Sequence, residues 1–190
     1  MHTRGLSLLG VLLLMATAAV QAREVSGVSL PETLHTPRNG ELLVLNGAGT
    51  VTRFFTPILV AGLYLPQRQD DAASIMALPG TKRVVLHILY DGVTAGDLAD
   101  VLIDCLRENL DGDSLALLNK HLQSLPAMLV EIGEGDRITI DMDPVHGSSV
   151  AVNDEVRGVL EAGTLTRAML AVWLGDFPAD ARLKRAMLGG

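Results

Sequence analysis

One stretch, residues 44–66, limits what this chain can fold into more than any other. It reads VLNGAGTVTRFFTPILVAGLYLP, and its second part, residues 50–65, is rich in β-branched and aromatic residues, which favour strands. Because this part is too apolar for a water-exposed sheet edge, we expect a long strand pair or a bent strand in the middle of a sheet. Pro57 has no backbone donor and therefore predicts a bulge, a bend or an edge within it.

The run Asn46-Gly47-Ala48-Gly49 indicates a special backbone requirement at the start of this stretch. Two glycines around one alanine are typical of positive φ angles, or of a backbone that lies too close to a neighbour for side chains. We predict a strand over residues 41–46 that leads into a turn at these glycines. The run does not indicate a phosphate-binding loop, because a strand rather than a helix follows it.

The other apolar patterns predict an α+β protein. Residues 82–90 are apolar on both strand faces, so we expect a central strand there. Further strands are predicted at residues 25–30, 137–142, 149–153 and 155–160, with a loop at 31–40. Helices are predicted at residues 70–78, 94–109, 113–132, 164–174 and 179–188, and the helix at 113–132 is expected to be broken or kinked at Pro126. Because the order lacks a regular βαβ alternation, we predict an antiparallel sheet with helices packed on one face.

The clearest predicted helix spans residues 94–109. Thr94 is a suitable N-cap, and Asp97 completes a capping box with it. A stripe at helical spacing is expected to be buried, and it includes the lone cysteine: Leu98, Val101, Leu102, Cys105 and Leu106. A second stripe carries four acids: Asp97, Asp100, Asp104 and Glu108. A metal or acid–base site is one interpretation of the acids; the apolar opposite side favours the other, a solvated face.

Residues 1–22 have the pattern of a secretory signal peptide. A short basic start with His2 and Arg4 precedes an apolar run, and Val20-Gln21-Ala22 then offers small residues at a cleavage site, which predicts cleavage after Ala22. The run is shorter than the ~20 residues that a membrane span needs, so an uncleaved anchor is the weaker alternative. We expect residues 23–190 to form one periplasmic or secreted domain, with no stable membrane span after cleavage.

Charge and motifs exclude several functions. The net charge of −7 leaves no basic patch for nucleic acid. The chain contains no GxSxG, HExxH or CxxC motif and no phosphate loop. We therefore expect no catalytic residues, no cofactor and no metal. The sequence does not identify a protein partner.

Several runs resemble the chalcone isomerase-like family, in particular its bacterial exported branch. These runs are LNGAG, TRFF and VAGLYLP, followed later by GDRITID, SSVAVND and LAVWLGDFPAD. The resemblance covers nearly the whole chain after residue 25. It implies a chalcone isomerase-like open-faced β-sandwich, with a ligand cleft beside the sheet.

The chain departs from this family at the cleft. The family places an arginine where this chain has Val51, and a threonine or tyrosine where it has Leu59. Arg53 lies on the same strand face as Val51, so we consider it as a displaced anchor. The candidates for the ligand pocket are Val51, Arg53, Leu59 and His87. For His87, a satisfied histidine in the core is the alternative.

The resemblance implies two kinds of function. In its isomerases an arginine stabilises a developing enolate, and in its fatty-acid-binding members an arginine and a tyrosine clamp a carboxylate. Because Val51 and Leu59 can do neither, we predict an exported, non-catalytic domain. It would bind a lipophilic small molecule such as a fatty acid, or serve as a partner-binding module. An intramolecular lyase (isomerase) with an unknown substrate is the alternative, and a structural protein with a filled cleft is a third.

Overall fold

The computed structural model describes residues 21–129, 132–160 and 164–190. The strands in these ranges are β1 (Ala22–Val25), β2 (Val28–Pro31), β3 (Thr33–His35), β4 (Leu42–Arg53), β5 (Thr56–Leu65), β6 (Lys82–Ile88), β7 (Arg137–Asp143), β8 (Gly147–Val152) and β9 (Glu155–Leu160). The helices are α1 (Ala72–Ala77), α2 (Ala95–Asn109), α3 (Gly112–Leu122), α4 (Leu125–Met128), α5 (Thr164–Leu174) and α6 (Ala181–Met187). Residues 1–20, most of the predicted signal peptide, lie outside the described residues.

The main sheet is an antiparallel meander in which β3 to β9 follow one another in chain order. β6 is the middle strand of the seven, as its two apolar faces predicted. The β4–β5 hairpin confirms the expected strand pair in the middle of the chain's most apolar stretch. The prediction of an α+β fold, with an antiparallel sheet and helices on one face, is confirmed.

At β4 to β6 both faces of the sheet carry a hydrophobic core, which explains the continuous apolar runs. On β6, Val84, Leu86 and Ile88 belong to the larger core, which joins the sheet to the helices. Val85 points the other way, into a smaller core that includes Leu30 of β2. The β1–β2 hairpin therefore covers part of the face opposite the helices.

Two predictions at the beginning of the chain are wrong. The expected strand at residues 25–30 is a hairpin, because Ser26 and Gly27 adopt φ angles of 47° and 81° and form a two-residue turn. The expected loop at residues 31–40 contains β3, which pairs with β4. A strand of three residues is too short to show a periodicity in sequence.

The predicted turn at Gly47 and Gly49 is also wrong, because both glycines lie within β4. Their purpose is the close approach of α6. A Cβ atom at Gly47 would lie 2.1 Å from the backbone oxygen of Ala186, and one at Gly49 would lie 2.9 Å from the Ala186 Cβ. The second interpretation of this glycine run, a backbone too close to a neighbour for side chains, is therefore confirmed.

Asn46 stabilises the contact between α6 and β4 with hydrogen bonds. It lies at a bulge between β4 and β5, and its Nδ2 donates to the backbone oxygens of Met187 at 2.7 Å and Gln69 at 2.8 Å. Its Oδ1 accepts from the Gln69 N–H at 2.8 Å. The buried amide thereby joins the end of α6 and the segment after β5 to the sheet.

Helix α2 begins with the predicted capping box between Thr94 and Asp97. Cys105 is buried as expected, and burial, aided by the charges of Glu108 and Asp104, raises the pKa of its thiol. The four acids of the second stripe are all exposed, which confirms the solvated face. Val101 was expected to be buried, but 47% of its surface is exposed.

The predicted helix at residues 113–132 is divided into α3 and α4, and Pro126 lies in the first turn of α4, where a missing N–H costs nothing. The predicted helix at residues 164–174 is confirmed as α5. No helix in the described part of the chain combines the length and the apolar character that a membrane span requires. Within the same ranges, no three His, Cys, Asp or Glu side chains gather in a way that could hold a metal ion.

Candidate functional site

A cavity of about 290 Å³ lies between the sheet and the helices. Strands β4 to β7 form its floor, and residues of α2, α5 and α6 form its roof. Its wall is almost entirely hydrocarbon, with Leu86, Leu102, Ile138, Ile140, Trp173 and Leu183 among its members. Ligand pockets typically measure about 300–1,000 Å³, so this cavity is of a size for one slender molecule. A wider depression of about 660 Å³, at Lys82 and Arg167, is more polar.

Val51 and Leu59 lie side by side in the floor of this cavity. They are direct cross-strand partners of β4 and β5; Val51 is half-buried, and Leu59 is 6% exposed. A bulge follows Val51, so that Thr52 pairs with Pro57, as Pro57 predicted. The two positions at which the family resemblance implies polar anchors are therefore neighbours, and both are apolar.

Arg53 lies at the mouth of the cavity rather than inside it. It is the last residue of β4, it is exposed, and its guanidinium carbon lies 5.7 Å from the centre of the Phe54 ring. Hydrogen bonds from Thr94 hold the pKa of Asp97 below its usual value, and the charge of Arg53 adds to this effect. The guanidinium thus faces water close to the start of α2.

His87 lies on the opposite face of the sheet. It pairs with Val60 on one side and Arg137 on the other, and Val60 belongs to the smaller core under the β1–β2 hairpin. Partial burial, together with the charge of Arg137, lowers the pKa of the imidazole. His87 is half-buried and does not line the cavity, so the structure brings together only three of the four candidate residues.

Several residues of the cavity wall are not among the pocket residues that the sequence predicts. Trp173 and Leu183 belong to two helices of which the sequence showed only an amphipathic pattern. The half-exposed Val101 lines the cavity too, which explains why a residue of the apolar stripe is not fully buried. A helical periodicity identifies the apolar side of a helix, but it does not show where neighbouring side chains leave a gap.

Few polar side chains line the cavity. Besides the indole of Trp173 they are Thr52, Arg53 and Asp180, and Asp180 is engaged as the N-cap of α6, where its Oδ1 accepts from the N–H groups of Arg182 at 2.7 Å and Leu183 at 2.9 Å. The inner wall offers apolar surface to a ligand. Stabilising a developing negative charge requires positioned donors, and Val51 and Leu59 present hydrocarbon at the two positions where the family resemblance implies polar anchors.

Comparison with known proteins gives matches of two kinds. The sequence model of a family described as chalcone isomerase-like matches residues 22–189. A crystal structure of a fatty-acid binding protein from Arabidopsis thaliana superposes with a TM-score of 0.59 at 16% sequence identity, over 83% of this chain and 96% of that chain. At this identity the superposition shows a shared fold. Curated protein sequences give no match.

Proposed function

Because the chain belongs to the chalcone isomerase-like family, we propose that it is a non-catalytic member that binds an apolar ligand, such as a fatty acid, in the cavity between the sheet and the helices. The observation that carries this proposal is the adjacent pair Val51 and Leu59 in a hydrocarbon floor. The similarly folded plant protein is described as a fatty-acid binding protein, which agrees with the proposal. A lyase would need a donor where this chain has Val51 and Leu59.

The apolar tail, rather than a headgroup, would supply the affinity. Each buried methylene group contributes about 0.8 kcal/mol, whereas an exposed ion pair contributes only about 0–1 kcal/mol. Arg53 is exposed at the mouth, so a carboxylate beside it would remain in water. The cavity volume of about 290 Å³ favours a single chain over a lipid with two.

The substitution Val51→Trp should lower the affinity for a fatty acid by about tenfold or more, which corresponds to about 1.4 kcal/mol. The indole ring would extend from the floor of β4 into the space that the ligand needs. Calorimetric titration with a soluble fatty acid measures the affinity, and mass spectrometry of a lipid extract from the purified protein identifies what it carries. Thr50→Trp is the matched control, because Thr50 lies on the same strand and faces away from the cavity. Its cross-strand partner is Val60, which belongs to the smaller core on the other face of the sheet.

The control variant should bind the fatty acid as the wild type does. Equal affinities for Val51→Trp and Thr50→Trp would place the ligand outside the cavity. A wild-type protein that neither carries a lipid nor binds one in the titration would overturn the proposed function and would favour a structural protein with a filled cleft.

We further propose that the protein belongs to the bacterial exported branch of the family. Residues 1–22 would be removed, and residues 23–190 would act as one domain in the periplasm or outside the cell. The basic start, the apolar run and the cleavage site at Val20-Gln21-Ala22 support this proposal. The expected result is a mature protein that begins at Arg23, measured by intact-mass spectrometry of the protein recovered from a host's periplasm or medium. An intact chain that begins at Met1 in the membrane fraction would contradict it.

A further inference from the structure

The turn between β4 and β5 contains residues that its backbone geometry disfavours. Phe54 and Phe55 adopt φ angles of 48° and 66°, in the left-handed region that glycine and asparagine tolerate and bulky residues avoid. Two other hairpins have the same geometry with suitable residues. These are Ser26-Gly27, at 47° and 81°, and Asn153-Asp154, at 48° and 70°.

Both aromatic rings of this turn also lie in water. Phe54 is 87% exposed and Phe55 is 100% exposed. Two features of this turn therefore make the folded state less stable than it could be: an unfavourable backbone conformation, and apolar surface that stays in water. Within the described fold the only ring contact that offsets these effects is that of the Arg53 guanidinium, 5.7 Å from the centre of the Phe54 ring, so the two side chains indicate contact with something outside the fold.

The turn projects beside the mouth of the cavity. Thr52 and Arg53, the two residues that precede Phe54, both line that mouth. Whatever the two rings contact is therefore brought close to the opening through which a ligand would enter.

The area and shape of the turn favour a lipid surface over a protein. Two phenyl rings provide roughly 300–500 Å² of contact surface, whereas a stable protein interface needs about 800 Å² from each partner. Phenylalanine is among the apolar side chains that bury at the boundary between headgroups and acyl chains, with basic residues beside them in the polar region, and Arg53 supplies such a cation. The net charge of −7 gives no attraction to anionic headgroups.

We propose that the turn formed by Phe54 and Phe55 inserts into the interface of a phospholipid bilayer with zwitterionic headgroups, and so places the cavity mouth at the lipid surface. In that position an apolar ligand could pass directly between the bilayer and the cavity. Only this exchange, and not the insertion of the turn, rests on the proposed function.

The test is flotation of the mature protein with phosphatidylcholine vesicles. The wild type should partition onto the vesicles, and Phe54→Asn combined with Phe55→Gly should lower the partition coefficient by about tenfold or more. This double variant keeps the turn geometry, so its folded state is maintained. Val145→Ser is the matched control, because Val145 is 74% exposed and lies in the turn between β7 and β8. This turn is at the opposite end of the sheet from Phe54, since Met142, near the end of β7, pairs with Lys82 at the start of β6. The control variant should partition like the wild type.

Vesicle flotation is done without fatty acid, and the fatty-acid titration is done without vesicles, so that either proposal can fail alone. The double variant should retain its fatty-acid affinity in solution. The inference is overturned if the wild type does not float, or if the double variant floats equally well. Self-association that depends on the two rings, measured by analytical ultracentrifugation without vesicle binding, would instead assign the turn to a second copy of the chain and overturn it too.

Discussion

Replacing Gly47 with alanine should lower the free energy of unfolding by about 3 kcal/mol or more. The new Cβ would lie 2.1 Å from the backbone oxygen of Ala186 and 2.7 Å from that of Met187. Both are backbone atoms of the α6 region, so no rotation of a side chain relieves the overlap. The helix would have to move away from β4, and the hydrogen bond from Asn46 to the Met187 oxygen would lengthen with it.

Denaturant unfolding measures this loss as a lower midpoint at an unchanged slope. Gly112→Ala is the matched control, because a Cβ atom there would meet nothing within 4 Å, and its effect should stay within about 0.5 kcal/mol or be stabilising. If Gly47→Ala unfolded within about 1 kcal/mol of the wild type, the close approach of α6 to β4 would not be a constraint on the fold.

The parts of the fold that follow from local pattern could be predicted. The α2 helix has its cap and its apolar stripe within sixteen consecutive residues, and β6 shows its central position by being apolar on both sides. The glycines of β4 could not be interpreted from local pattern alone, because two glycines around an alanine fit a turn as well as a close approach of another element to the strand. Only α6, about 140 residues further along the chain, decides between the two.

The candidate site shows the same limit. Val51 and Leu59 could be named from the family resemblance, and their pairing follows from the hairpin. His87 could not be placed, because a strand that is apolar on both faces does not show which face meets the helices. A cavity is the space that several packed elements leave unfilled, so the sequence pattern of one helix or strand does not predict where it lies.

Replacing Phe54 and Phe55 with Asn-Gly should raise the free energy of unfolding by about 1.5 kcal/mol. A residue with a bulky side chain loses about 1–2 kcal/mol in the left-handed region, and both turn positions lie there. The gain is reduced by about 0.5–1 kcal/mol, since glycine gives the unfolded chain more conformational freedom. It is also reduced by about 0.5–1 kcal/mol for the contact between Arg53 and the Phe54 ring, which is an exposed cation–π pair.

Denaturant unfolding of the double variant gives the result, with Val145→Ser again as the matched control. The Val145 side chain is 74% exposed, so the control should change stability by no more than about 0.5 kcal/mol. A double variant no more stable than the wild type would mean that the two rings stabilise the fold, and the argument from strain would fail. A variant that is more stable and no longer floats with vesicles would show that the two phenylalanines lower the stability of the fold and also supply its contact with the bilayer.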